Sequence, residues 1–193
     1  MDKGQQADLI DRAIELAVKA HEQQKRKGTD TAYIIHPFSV AVILARAGCS
    51  DETIAAGILH DTVEDTPVEI HSIRREFGET VASIVESCSE PNKTLPWEER
   101  KEHTVKSLKT ASLDARLVSC ADKLHNLRTI ARDRNTVGDE VWARFNKGKD
   151  EQRRYYQRLV EVLCDRQDTG EYQPLFEELR KEVKRVFGKE EEE

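Results

Sequence analysis

Residues 55–66 read AAGILHDTVEDT: an apolar run fit for burial, interrupted by His60, Asp61, Glu64 and Asp65 within six positions. On a helix, the spacing of four would stack His60 with Glu64 and Asp61 with Asp65 on adjoining sides. Ile54, Ile58 and Leu59 would face a core, so the polar cluster would sit at its edge, as a pocket wall does. His60–Asp61 alone is a weak signal, because a surface or capped histidine accounts for it more readily. Two other segments add weight. YIIHP sets His36 at the start of a largely apolar helix, and SCADKLHNLRTI sets Asp122 beside Val118 and Ala121. A lone ionised aspartate there would be costly, and a metal ion is among the strongest partners for it. Two histidines and two aspartates form a mixed nitrogen and oxygen set that suits divalent manganese, iron or zinc, with positions left for water and substrate. A closed structural zinc site would more often recruit cysteine. Such an ion lowers the pKa of water and polarises a phosphoryl oxygen, and Glu64 or Asp65 could position or deprotonate that water.

Helical periodicity dominates the elements that must hold these groups, and no convincing strand alternation occurs. Residues 8–24 carry Leu9, Ile10, Ala13, Ile14, Ala17 and Val18 on one face. Residues 36–48 place Pro37 near a helix start and Gly48 at its end. Residues 50–65 open with an imperfect capping box and with Asp51 and Glu52 in the first turn. Residues 66–78, with Pro67 just inside the start, and 79–89 read as two further helices, followed by a loop at 90–94. Helical pattern resumes over 95–110, 112–133, 151–167 and 174–188, with a break at 134–139. The expectation is an all-α helical bundle of about eight to ten helices. Residues 1–188 read as a single domain, and the like-charge run 189–193 as a disordered acidic tail.

A chain of 193 residues can bury a substantial core without disulfides. Its apolar fraction of 37% against 35% charged suits a soluble protein. No run approaches a membrane span, and the first residues lack the features of a signal peptide, so a cytoplasmic location is expected. Cys49, Cys88, Cys120 and Cys164 form no CxxC pair and read as reduced, mostly buried residues. A net charge of −6 argues against general nucleic-acid binding. A small phosphorylated ligand needs only a local basic cluster or a metal, and the sequence leaves the oligomeric state open.

The pattern H…HD…D, read as His36, His60–Asp61 and Asp122, resembles the HD superfamily of metal-dependent phosphohydrolases. The segments HEQQKRKGTDTAYIIHPFSVAVIL, AAGILHDTVEDT, FGETVASIVES and ADKLHNLRTI run in order between residues 9 and 132. They resemble the hydrolase domain of the RelA/SpoT alarmone enzymes, and KTLPWEERK and QRRYYQRLV are similar to the stand-alone small alarmone hydrolases. The resemblance implies hydrolysis of the 3′-pyrophosphate of guanosine 3′,5′-bis(diphosphate) and related alarmones, giving GDP or GTP and pyrophosphate. It implies Mn2+ as the usual metal, with Fe2+, Zn2+ and Co2+ as alternatives, held by His36, His60, Asp61 and Asp122. Glu64 and Asp65 match the pair that activates water. Arg26 and Lys27 match a basic pair at the nucleotide site, Asn126 a ribose or nucleotide contact, and Tyr155 a tyrosine near the nucleotide. The chain departs from the family in CSEPN after the FGETVASIVES segment and in Ala32 where a proline is usual. Both bear on which nucleotide fits.

Other readings of these residues stand beside that one. An enzyme of this chemistry could act on a nucleoside mono- or triphosphate, a cyclic dinucleotide or an adenine-based alarmone, and a non-catalytic sensor could bind nucleotide without turning it over. Arg26 and Lys27 could simply interact with a helix C-terminus. His21, His71, His103 and His125 are expected not to be ligands, although His125 could lie near the site. Trp97 and Trp142 read as packing anchors, residues 98–103 as a solvated helix face, and Arg116 and Arg128 as further candidates for phosphate contact.

Overall fold

The computed structural model describes residues 3–90, 92–165 and 168–188. Nine α-helical segments follow one another among them: α1 (Lys3–Ala20), α2 (Ile35–Arg46), α3 (Asp51–Leu59), α4 (Thr62–Asp65), α5 (Ile70–Cys88), α6 (Trp97–Thr110), α7 (Leu113–Val137), α8 (Lys149–Cys164) and α9 (Gln173–Phe187). Two 3-10 segments, Gly138–Arg144 and Gly170–Tyr172, precede α8 and α9. The described residues hold no strand beyond an isolated bridge between Lys25 and Ala32. The all-α expectation is met. The expected tail at 189–193 lies outside the described residues.

Helices α3 and α7 form the centre. Helix α3 packs against α1, α2, α5 and α7, and α7 against α2, α3, α5 and α9. Their sequences explain this position. Every residue of α3 from Thr53 to Leu59 is buried, and α7 buries residues on all sides between Ala115 and Leu127. A helix apolar around its whole circumference must be enclosed. Helix α9 instead carries Leu175, Phe176, Leu179, Val183 and Val186 along one buried stripe, and lies over α7 and α8.

Both central helices have serine caps. Ser50 Oγ accepts from Thr53 N at 3.2 Å, and Ser112 Oγ accepts from Ala115 N at 3.2 Å; each satisfies one donor that the first helical turn leaves open. Gly57 lets α3 approach α2 closely, because a Cβ there would overlap Leu44 Cδ1. That approach brings the start of α2 and the end of α3 together, which matters for the site.

Three local expectations are corrected. The two helices expected at 66–78 and 79–89 run on as α5, kinked at Gly78, whose φ of 87° is open to glycine alone at little cost. Pro67 lies ahead of α5 rather than inside it, because Glu69 is extended and the helix begins at Ile70. Val18, expected on the buried face of α1, is 44% exposed, whereas Ala13 and Ala17 are fully buried; the apolar stripe is narrower than the residue types suggested. The four cysteines are free, Cys88 half-buried and the others buried.

Candidate active site

Helix α3 does not continue through the HD and ED residues, as an unbroken helix over 50–65 would require. It ends at Leu59, His60 caps it, Asp61 turns the chain, and α4 starts afresh at Thr62. The break is held by side chains bonding back to the main chain. His60 Nδ1 meets the Gly57 carbonyl at 2.8 Å, and Thr62 Oγ1 donates to the Leu59 carbonyl at 2.7 Å. The turn directs His60 and Asp61 toward α2 and α7.

There they meet His36 from the first turn of α2 and Asp122 from the middle of α7. His36 Nε2 lies 3.2 Å from Asp122 Oδ1 and 3.5 Å from Asp61 Oδ2. His60 Nε2 lies 3.0 Å from Asp61 Oδ2 and 4.0 Å from Asp122 Oδ1. Ligand atoms of His36, His60 and Asp122 all fall within 4.8 Å of one another, and these three residues are buried.

The donor set of imidazole nitrogens and carboxylate oxygens fits a divalent cation. The Gly57 carbonyl can only accept, so His60 carries its proton on Nδ1 and turns the Nε2 lone pair toward the Asp61 carboxylate. His60 Nε2 is buried and, despite that 3.0 Å approach, has no aligned hydrogen bond. A lone pair facing a carboxylate calls for a positive charge between them. Without an ion, a proton is the alternative. Burial resists charging His60, but the nearby Asp61 and Asp122 carboxylates outweigh it and push its pKa up to about 9. At His36 burial wins and the pKa goes down. Burial likewise opposes ionisation of Asp61 and Asp122. The two imidazoles at Asp61, and Lys123 with the imidazoles at Asp122, overcome it and hold both carboxyls below their ordinary range.

The surrounding groups orient these side chains. Lys123 Nζ takes Asp122 Oδ2 at 2.6 Å, which leaves Oδ1 to face the imidazoles. Asn126, one turn along α7, donates to Asp122 Oδ1 at 2.5 Å and accepts from Arg26 at 2.7 Å. Tyr33, in the same YIIHP segment as His36, joins them without any signal in its sequence pattern. Its hydroxyl donates to Asp61 Oδ2 at 2.5 Å and lies 3.4 Å from Asp65 Oδ2. Burial, then the Asp61 charge, push the Tyr33 pKa up, so the phenol remains a donor.

Glu64 and Asp65 line the same cavity, of about 210 Å3, as His36, His60, Asp61 and Asp122. Glu64 accepts from the Glu90 main-chain N–H at 3.0 Å, and burial raises its pKa. Asp65 is paired to Lys93, whose Nζ is also 3.6 Å from Glu64 Oε1. Glu90 belongs to the CSEPN stretch singled out in the sequence, and Lys93 directly follows that stretch. Glu90 is clamped by Lys101 at 2.6 Å and by Arg100. Residues 98–103, expected as a solvated face, therefore contribute two cations that fasten the rim.

A second cavity of about 300 Å3 adjoins the first, and Arg26, Tyr33, Lys101, Lys123 and Asn126 line both. Tyr155 lies in its wall, 94% buried, with a hydroxyl that has no hydrogen-bond partner. Trp97 meets Tyr155 edge to face at 5.9 Å between ring centroids, and Lys101 Nζ lies 5.2 Å above the Tyr155 ring. Trp97 is thus cavity lining rather than a packing anchor alone. Lys27 lines this cavity too, bonded to Asn146, but not the inner one. Arg116 and Arg128 are elsewhere: Arg116 is buried and bonded to Asp168, and Arg128 pairs with Glu178 on α9.

A family model described as the HD domain matches residues 13–150. The chain belongs to the HD domain family. It is 43% identical over 129 residues to the guanosine-3′,5′-bis(diphosphate) 3′-pyrophosphohydrolase MESH1 of Xenopus tropicalis, covering 65% of this chain and 72% of that one. A solved structure, of a metazoan ortholog of SpoT described as hydrolysing ppGpp with a role in starvation responses, superposes with a TM-score of 0.74 at 25% identity. That match covers 93% of this chain and 96% of the other. Against the much longer GTP pyrophosphokinase of Streptomyces coelicolor the identity is 40% over 124 residues, covering 63% of this chain. The match spans 14% of that protein's length.

Proposed function

We propose that this chain is a divalent-metal-dependent hydrolase that removes pyrophosphate from the 3′ position of guanosine 3′,5′-bis(diphosphate) and related alarmones. The observation that carries the reading is the convergence of two buried imidazole Nε2 atoms with the carboxylates of buried Asp122 and part-buried Asp61, in a cavity that Arg26, Lys101 and Lys123 also line. The relatives named for this activity support the choice of substrate. His36, His60, Asp61 and Asp122 would hold the ion, and the mixed nitrogen and oxygen set suits manganese. When bound, such an ion supplies Lewis-acid charge that favours ionisation of water and neutralises charge on phosphoryl oxygens.

The protein's own groups do the rest. Glu64, raised in pKa by burial and fixed by the Glu90 N–H, takes the proton from the attacking water. The water oxygen bonds to the phosphorus next to O3′, the P–O3′ bond breaks, O3′ gains a proton and pyrophosphate leaves. Asp65, tied to Tyr33 and Lys93, positions the water beside Glu64. Arg26, Lys101 and Lys123 line the path between the cavities and balance the charge leaving with pyrophosphate. Trp97 and Tyr155, whose buried hydroxyl lacks a partner in the protein, line the outer cavity and would meet the nucleoside. Lys27 binds nearer the mouth, and Asn126 couples Arg26 to Asp122. Incubation with guanosine tetraphosphate and Mn2+ should yield GDP and pyrophosphate in equal amounts. Absence of turnover, or release of orthophosphate instead, would refute the reading.

A further inference from the structure

The two ligand histidines are oriented by different partners. His60 gives its Nδ1 proton to the Gly57 carbonyl, which cannot donate, so its tautomer is fixed by the main chain. His36 has no such acceptor. Its Nδ1 lies 2.7 Å from Nδ1 of His125, with ring centroids 4.9 Å apart. Two ring nitrogens at that distance share one proton, so one ring donates and the other accepts. His36 Nε2 faces Asp122 Oδ1, Asp61 Oδ2 and the His60 ring. For Nε2 to offer a lone pair to a cation, the His36 proton must sit on Nδ1. His125 Nδ1 must then accept, and the His125 proton must sit on Nε2. His125 also lines an open cavity of about 730 Å3 between α2, α7 and the start of α9, where water can receive that Nε2–H.

We propose that His125 is the positioning residue that sets the tautomer and ring orientation of His36. This rests on the metal reading above. It makes His36 the conditionally held ligand and His60 the fixed one. Carboxylates and carbonyls are the usual outer partners of ligating histidines, and their loss typically weakens metal binding about 10–100-fold. A neutral imidazole in that place can both accept and donate, so only its own tautomer makes it the acceptor.

The test titrates Mn2+ alone into the wild-type protein, His125→Leu and His125→Gln, reading free Mn2+ by electron paramagnetic resonance and following helicity and melting in parallel. The wild type should bind one ion. His125→Leu, which keeps bulk but has no acceptor, should bind at least about tenfold more weakly. His125→Gln, which offers an amide oxygen, should recover most of the loss. Leucine and glutamine variants that both bind within twofold of the wild type, or that weaken equally, would overturn the proposal while leaving the metal reading intact. Failure of the wild type to bind would instead refute the metal reading. Should either variant not fold, nitrogen-15 spectra of the zinc-loaded wild type decide. A His125 ring protonated at Nε2 and accepting at Nδ1 supports the proposal, and one protonated at Nδ1 contradicts it.

Discussion

The inner and outer cavities share five lining residues yet are built in opposite ways. The inner one is walled by helix interiors and a helix break: His36 on α2, His60 and Asp61 at the end of α3, Asp122 on α7. Each of these side chains has a partner that orients it: His125 for His36, the Gly57 carbonyl for His60, Tyr33 for Asp61, and Lys123 with Asn126 for Asp122. The outer cavity is gathered from the 24–33 loop, α6, α7, the 3-10 segment Gly138–Arg144 and α8. Each cavity keeps one buried polar atom without a hydrogen-bond partner, His60 Nε2 in the inner and the Tyr155 hydroxyl in the outer. The difference separates reaction from selection. Groups that must not move are set in the core, and groups that meet a variable ligand stand where loops and later helices converge.

If that division is right, damage to the inner set should be severe and damage to the outer set graded. The largest effect should come from Asp122→Ala, which removes the Oδ1 that faces both imidazoles. Loss of a metal ligand should remove Mn2+ binding and lower kcat by on the order of 10³-fold or more. The helical circular dichroism should persist, and calorimetric titration checks the binding.

Next, Glu64→Gln should leave Mn2+ bound and lower kcat by about 10²–10⁴-fold. Burial raises the Glu64 pKa, and a base must be deprotonated to act. Wild-type kcat/KM should therefore fall on the acid side through a pKa above the ordinary value of about 4.3. The pH–rate profile of the glutamine variant should lack that limb.

In the outer cavity, Tyr155→Phe removes a hydroxyl with no partner in the protein. Thermal stability should be unchanged or slightly higher. KM for the nucleotide should rise by roughly fivefold with kcat nearly constant, the worth of one hydrogen bond of about 1 kcal/mol. A large fall in kcat would place Tyr155 in the inner set and break the comparison.

The smallest effect belongs to the rim. Burial works against ionising Glu90, but Lys101 and Arg100 more than offset it and lower its pKa. The depressed folded-state value means that this carboxylate stabilises the fold above the unfolded pKa. The contribution is lost as pH falls through the folded one. Urea unfolding below about pH 5 should show a steeper loss of stability for the wild type than for Glu90→Gln, by about 1 kcal/mol or less.

Much of the inner cavity was legible in the sequence because its residues fall in short motifs on apolar helices. His60–Asp61 and Asp122 announce themselves as polar groups where burial forbids unpartnered ones. The helix break at His60 was not legible, because a bond from its own ring to the Gly57 carbonyl, rather than propensity, ends α3. Tyr33 was hidden for a related reason: a tyrosine near a proline reads as packing until its hydroxyl is seen on Asp61. The parts played by Lys93, Lys101 and Trp97 were not legible because Lys93 meets Asp65, and α6 meets the cavities, only through tertiary contacts spanning tens of residues. Tyr155 was singled out only through resemblance; nothing in the amphipathic pattern of α8 distinguishes it from Tyr156, which is equally buried.

Metal dependence of a single chemical outcome is the core of the account. Protein stripped of metal by chelation and dialysis would be mixed with guanosine tetraphosphate labelled in its 3′-pyrophosphate, and Mn2+ added in fractions of an equivalent. The initial rate of labelled pyrophosphate release should be zero without metal, rise in proportion to added ion and level off at one ion per chain. Full release from the stripped protein, or no release at any metal level, would contradict it.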